Sequence, residues 1–332
     1  MRFFCRKQLF FFYVKEICDI LKTYYICGDG FRLRKCRTDC TNAILRRRFG
    51  NRKRLPQSCN GCNEKTSQRK DYETEMVAVI TGASSGIGKE TARIFNENGW
   101  QVVCLSRTPC DINGIKSIRC DITKQEDIDA AFAQISRIDL LINNAGFGVS
   151  GCAEFMDMSE IRSQFELNFF AHTAITQAAL PFLRKSKGRI IFTSSAAAVF
   201  SIPFQSFYSA SKAAIESFAC ALSNELKAFG ITVCAVRLGD VKTGFTAARK
   251  KDFAGDDIYG GIISKSVSVM ENDEIHGMSP ETIAAAVFKA AKRKKPPVII
   301  TVGAKYKLFC LLAKILPQNT VNKTVGSMYM PK

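Results

Sequence analysis

Tyr208-Ser209-Ala210-Ser211-Lys212 sets a phenol and an ammonium four residues apart, a spacing that on a helix brings both to one face. Such a pair has an acid–base use. A nearby positive charge favours the phenolate and is expected to lower the tyrosine pKa from about 10 toward neutrality, letting Tyr208 exchange a proton with a substrate oxygen. In isolation an ordinary helix carries the same two residues, so the meaning of the pair depends on its company.

Upstream, Thr81-Gly82-Ala83-Ser84-Ser85-Gly86-Ile87-Gly88 follows a β-branched run and opens a helical stretch. In that context glycines let backbone amides and a helix N-terminus approach a pyrophosphate, although a plain strand-to-helix turn also uses glycine. The next strand ends Leu105-Ser106-Arg107. An acid there would bond the ribose 2′-OH of NAD(H) and repel a 2′-phosphate, whereas a hydroxyl and a guanidinium suit the phosphate, so NADP(H) is favoured.

The elements that must hold these groups begin at Val77. Strands are predicted at Val77 to Thr81, Gln101 to Leu105, Ser117 to Cys120, Asp139 to Ile142, Arg189 to Thr193, Thr232 to Arg237 and Val298 to Val302. Helices are predicted near 86–98, 124–136, 159–185, 206–229 and 280–293. Alternation of this kind gives an α/β fold, a doubly wound parallel sheet of about seven strands in a single domain. The basic run Lys292 to Lys295 before Pro296 and Pro297 reads as a helix end, not a nucleic-acid patch.

In their order along the chain these motifs resemble the short-chain dehydrogenase/reductase family from about Met76 onward. The family's cofactor turn matches Gly82, Ser84, Ser85, Gly86, Ile87 and Gly88; its adenine-contacting acid matches Asp121, followed by Ile122; its Asn-Asn-Ala-Gly element matches Asn143 to Gly146, with Asn143, Ala145 and Gly146 toward the cofactor. The mid-helix asparagine matches Asn168, and Tyr-x-x-x-Lys matches Tyr208 and Lys212. In related enzymes the catalytic serine lies thirteen residues before the tyrosine, which selects Ser195 and leaves Ser194 a structural hydrogen bond. Where the family has Pro-Gly, this chain has Leu238-Gly239 before Val241 and Thr243; Gly239, Val241 and Thr243 keep their cofactor contacts, but the turn should loosen.

The resemblance implies hydride transfer between NADP(H) and a carbonyl or alcohol substrate. Tyr208 would be the general acid or base, Ser195 would polarise the oxygen, Lys212 would hold the nicotinamide ribose and tune Tyr208, and Asn168 would place a relay water. The rival is a catalytically idle NADP-binding sensor or scaffold of the same fold. Phe200, Phe204 and Phe207 suggest a lipophilic substrate, and a homo-oligomer, dimer or tetramer, is expected.

Residues 1–75 differ in composition. They hold 18 Lys/Arg against 8 Asp/Glu and seven of the 14 cysteines, without periodicity, and are expected to be a disordered or dispensable extension, an upstream reading from too early a start codon. Cys36, Cys40, Cys59 and Cys62 have loose zinc spacing; no metal is assigned, and no nucleic-acid partner. The seven later cysteines read as buried apolar residues without disulfides. With no apolar run of about 18 residues the protein is expected to be soluble and cytoplasmic. Tyr306 to Leu316 reads as a short helix forming a pocket lid or subunit contact, with peripheral membrane contact by this tail as the alternative.

Overall fold

A computed structural model describes residues 75–330 and the backbone of one short antiparallel pairing, Tyr24–Tyr25 with Arg34–Lys35. The chain divides into two units, Met1–Lys70 and Asp71–Lys332. The readings of residues 1–74, including the zinc spacing, lie outside the described residues apart from that pairing.

In the second unit, seven strands form one wholly parallel sheet: β1 (Val77–Thr81), β2 (Gln101–Ser106), β3 (Lys116–Arg119), β4 (Leu140–Asn143), β5 (Arg189–Ser195), β6 (Thr232–Leu238) and β7 (Ile299–Thr301). Their spatial order is β7-β6-β5-β4-β1-β2-β3. The order reverses between β1 and β4, and in such sheets ligands bind where strands on either side of a reversal send their carboxyl ends outward.

Both faces are covered, which is why the strands read as nearly continuous apolar runs. Alternate residues serve opposite layers. Val79, Leu105, Leu141, Phe192 and Ala235 pack with Ile128 of α2 (Gln125–Phe132), Ile175 and Leu183 of α4 (Ala171–Ser186) and Ile215 of α5 (Ser206–Glu225). Ala78, Ile80, Cys104, Ile142 and Val236 pack with Phe95 of α1 (Gly86–Glu97) and Val287 of α7 (Pro280–Lys292). Phe95 meets Trp100 and Phe288 edge-on at 5.1 and 5.0 Å; truncating it to alanine should destabilise by about 3–5 kcal/mol.

The predicted helix over 159–185 occurs as three pieces: α3 (Met158–Phe165), a π-helical turn Glu166–Phe170 and α4. Helix α7 starts as the sequence indicates, with Ser279 capping the Thr282 amide, Pro280 in the first turn and Lys289 and Lys292 in the last. The seven later cysteines are all free, six of them buried. Three helices, α6 (Ile262–Ile275), α8 (Ala304–Ile315) and α9 (Gln318–Tyr329), complete the carboxyl-terminal third; of these the sequence predicts only α8.

Candidate active site

The glycines after β1 are required by close approach. Gly82 has φ +67° and a Cβ there would lie 2.8 Å from Ala145 Cα; a Cβ on Gly88 would lie 2.2 Å from the Gly82 carbonyl oxygen. Gly86, at φ +53°, opens α1. Ser85 stands at the N-cap without a side-chain capping bond, and the first turn holds no acid, so the orphan amides are left for an external anion. Thr81 Oγ1 ties the turn to the end of β4 by accepting from the amides of Asn144 (2.9 Å) and Ala145 (3.1 Å).

Strand alternation separates the two asparagines. Asn143 is fully buried and donates to Thr176 Oγ1 of α4 at 2.9 Å, its side chain turned from the cavity. Asn144, to which the sequence motif assigns no role, lines the cavity and donates to the carbonyls of Thr81 (3.2 Å) and Gly82 (3.3 Å).

At the neighbouring strand ends Ser106 is buried and donates to the Thr108 carbonyl at 2.5 Å. Asp121 accepts from Thr123 through both amide and hydroxyl; that hydroxyl bond, and in smaller part the charge of Arg107, hold its carboxyl below the usual range. Ile122 is buried beside it. Arg107 is exposed and, among the described residues, makes no ion pair.

The carboxyl end of β5 and the start of α5 enclose a cavity of about 130 Å³ whose lining includes Ile87, Gly146, Ser195, Tyr208, Lys212 and Thr243. The adjacent serines part company. Ser194 points inward and donates at 2.8 Å to Glu216, which is forked by Arg237 at 2.8 and 2.5 Å. Ser195 accepts from the Ala197 amide at 3.2 Å and bonds the Tyr208 hydroxyl.

Lys212 Nζ donates to the Thr193 carbonyl at 3.1 Å, and burial pulls its pKa from 10.5 to about 8. For Tyr208 the expected direction is reversed. Burial pushes the phenol up to about 12, against the Ser195 hydrogen bond and the charge of Arg249 that pull it down. The lysine gives its hydrogen bond to the Thr193 carbonyl and not to the phenol, and its ammonium stands 5.8 Å from the ring centre, so it can act on Tyr208 only through space.

Asn168 sits in the π-turn behind Gly146. Its Oδ1 accepts from the Phe147 amide (3.1 Å), and its Nδ2 donates to the Phe147 carbonyl (3.0 Å) and Ser211 Oγ (3.2 Å). Both ends of the amide are thereby committed, so a relay water near Asn168 would have to use its backbone.

The loop after β6 is not loose. The ring of Tyr306 from α8 occupies the space a Cβ on Gly239 would take; its hydroxyl accepts from the Asp240 amide at 3.0 Å and donates to the Asp240 carboxylate. Val241 pairs with Met278, and Lys242 N donates to the Met278 carbonyl at 2.9 Å. These contacts replace the missing proline. Thr243 faces the first turn of α1, 3.6 Å from a Cβ placed on Gly86.

Beyond it, Phe245 packs on Tyr208 (centroids 5.9 Å) and lies under Arg249 (5.5 Å), whose buried guanidinium pairs with Glu274. None of Phe200, Phe204 and Phe207 lines the cavity; its apolar wall is instead Ile87, Ala197, Ile202, Leu238, Val241 and Phe245. Tight glycines, an uncapped helix terminus and a lysine beside the cavity fit a pyrophosphate-containing dinucleotide laid across the sheet reversal.

The family model described as short chain dehydrogenase matches residues 76–254. A 3-ketodihydrosphingosine reductase of Bacteroides thetaiotaomicron is 37% identical over 263 residues, 76% of this chain and 98% of that protein. An NADPH-dependent 3-dehydrocapnine reductase of Ornithobacterium rhinotracheale is 30% identical over 267 residues, 74% of this chain and 94% of that one. The crystal structure of a short-chain dehydrogenase from Streptomyces avermitilis superposes with a TM-score of 0.66 at 28% identity, covering 77% and 98% of the two chains.

Proposed function

Since this chain belongs to the short-chain dehydrogenase/reductase family, we propose that it is an NADP(H)-dependent reductase of a lipophilic ketone. The observation that carries this reading is the convergence of Ser195, Tyr208 and Lys212 on one cavity beside the uncapped end of α1.

The bound dinucleotide would supply the hydride. Gly82, Gly86 and Gly88 would let backbone approach its pyrophosphate, Lys212 would hold its ribose, and Arg107 would pair with a 2′-phosphate. Ser195 and Tyr208 hold the substrate oxygen, and Tyr208, protonated at neutral pH, gives its proton to that oxygen as charge develops there. Lys212 supports this as a positive charge in a dry site, where it favours the phenolate left behind.

The relatives named for 3-ketodihydrosphingosine and 3-dehydrocapnine act on long-chain amino ketones, and the cavity here has matching features. Ile202 and Phe245 offer an apolar wall for an alkyl chain; Asp240 and Glu274 are also among the lining residues, with their carboxylates already bonded to Tyr306 and Arg249. The test is NADPH oxidation across a panel of ketones with and without a long alkyl chain and a neighbouring amine. Turnover is expected for the long-chain amino ketones; tight NADPH binding with no turnover of any ketone would instead favour an idle nucleotide binder.

A further inference from the structure

No Asp or Glu follows Glu281. The Lys292–Lys295 run precedes β7 and so lies at the far end of the sheet from the active site. After β7 the chain carries Lys305, Lys307, Lys314, Lys323 and Lys332 with no acid among them. On α8, Leu308, Leu311 and Ile315 are 36, 51 and 53% exposed, and at 3.6 residues per turn they fall within about 60° of one another. Lys307 and Lys314, both exposed, run along one flank of this stripe. The side of α8 opposite the stripe is committed inward, with Cys310 buried and Tyr306 bonded to Asp240 in the cavity lining, and Leu312, next to Leu308 around the helix, is buried and bounds the stripe on its other flank.

We propose that the outer face of α8 docks the protein on an anionic lipid bilayer, the Leu308–Leu311–Ile315 stripe entering the interface and the flanking lysines meeting lipid phosphates. A narrow apolar stripe beside basic side chains is the pattern of a helix lying in a membrane surface. A second copy of the chain suits it less well, because a twofold contact would set the same lysines against each other with no acid to answer them. Nucleic acid would satisfy the lysines but leave three exposed aliphatic side chains without a partner. Docking here would hold the cavity next to lipid, on the other side of the same helix. The docking itself does not depend on which ketone is reduced.

The experiment is flotation of the full chain with vesicles of phosphatidylcholine containing phosphatidylglycerol, compared with phosphatidylcholine alone, without substrate. Binding to the anionic vesicles is expected, and much weaker binding to the neutral ones. The variant Leu308→Gln/Leu311→Gln/Ile315→Gln should lower partitioning at least tenfold, and Lys307→Glu/Lys314→Glu should do so as well, with NADPH affinity and melting temperature unchanged in both. Failure of the native chain to bind would overturn the proposal. So would undiminished binding by the stripe variant, which would assign attachment to the basic residues 1–75. Sedimentation showing that the stripe variant turns a dimer into a monomer, with vesicle binding unaltered, would assign the face to a second copy.

Discussion

The Lys212 ammonium stands 5.8 Å from the centre of the Tyr208 ring and gives its hydrogen bond to the Thr193 carbonyl, not to the phenol. Lysine and tyrosine are therefore coupled through space and through what lies between them. Tyr208→Phe keeps the ring against Phe245 and removes only the proton donor. It should lower kcat by about 10²–10⁴ while NADPH affinity stays unchanged. Stopped-flow hydride transfer and fluorescence titration of NADPH measure the two separately; a Phe variant with most of the parent rate would remove Tyr208 from the mechanism.

The two pKa values give a pH dependence with a definite sign. Tyr208, near 12, remains protonated throughout the accessible range, whereas Lys212, near 8, does not. Ketone reduction should therefore fall as pH rises through about 8, when the lysine loses the charge that favours the phenolate. The stability contribution runs the other way. Between about 8 and 10.5 the unfolded lysine binds more protons than the folded one, so stability from this group rises with pH across that window. Lys212→Met should accordingly inactivate the enzyme yet raise its melting temperature at neutral pH. A kcat/KM profile flat to about pH 10 would refute the assignment.

Ser194 and Ser195 offer a paired test. Ser195→Ala removes the hydroxyl facing Tyr208 and should cost about 10²-fold or more in kcat with little change in stability. Ser194→Ala leaves the buried Glu216–Arg237 pair one donor short; it should lower stability by about 1 kcal/mol and spare kcat. Exchange of these two phenotypes would mean that the assignment by spacing is inverted.

Much of this is legible in the sequence because it depends on local rules. Strand alternation and glycine placement mark the sheet and the tight turn after β1, and the spacing seen in related enzymes singles out Ser195 from Ser194, the serine that the structure turns toward Glu216. The illegible part depends on contacts between distant segments. Nothing near Gly239 announces that Tyr306, 66 residues after Asp240, holds its turn. Arg249 and Glu274, 25 residues apart in an unpatterned stretch, give no sign of pairing. Nor does Asn-Asn-Ala-Gly reveal which asparagine faces the cavity. The Tyr208 pKa departs from expectation for a related reason: spacing on a helix shows that a charge is near, but not how deeply the phenol is buried.

Dinucleotide choice is predicted to depend on Arg107. Its guanidinium is exposed and makes no ion pair among the described residues, and Asp121 nearby is already held by Thr123. The kcat/KM with NADPH should exceed that with NADH, and Arg107→Ala should remove most of the difference by weakening NADPH alone. Equal efficiency with both cofactors in the unaltered protein would count against a 2′-phosphate site at this position.

The last prediction concerns how much of the chain the reaction needs. Among the described residues, the backbone contacts that anchor β1 begin at Met76: its carbonyl accepts from the Gln101 amide at 3.0 Å. Next, the Val77 amide donates to the buried Asp139 carboxylate at 2.8 Å, and that carboxylate is braced by Arg137 at 2.8 Å. Upstream of them, among the described residues, Glu75 accepts one exposed hydrogen bond from Gln101, and losing an exposed contact of that kind should matter by under about 1 kcal/mol. A chain beginning at Met76 should therefore fold, bind NADPH and reduce ketones as the full chain does. Its melting temperature should be the same within a few degrees. Comparing the two chains by thermal melt and by turnover tests this directly. If the shorter chain lost its melting transition, or kept its fold but not its rate, residues 1–75 would have to contribute to the enzyme itself, and their cysteines and arginines would become candidates for that role.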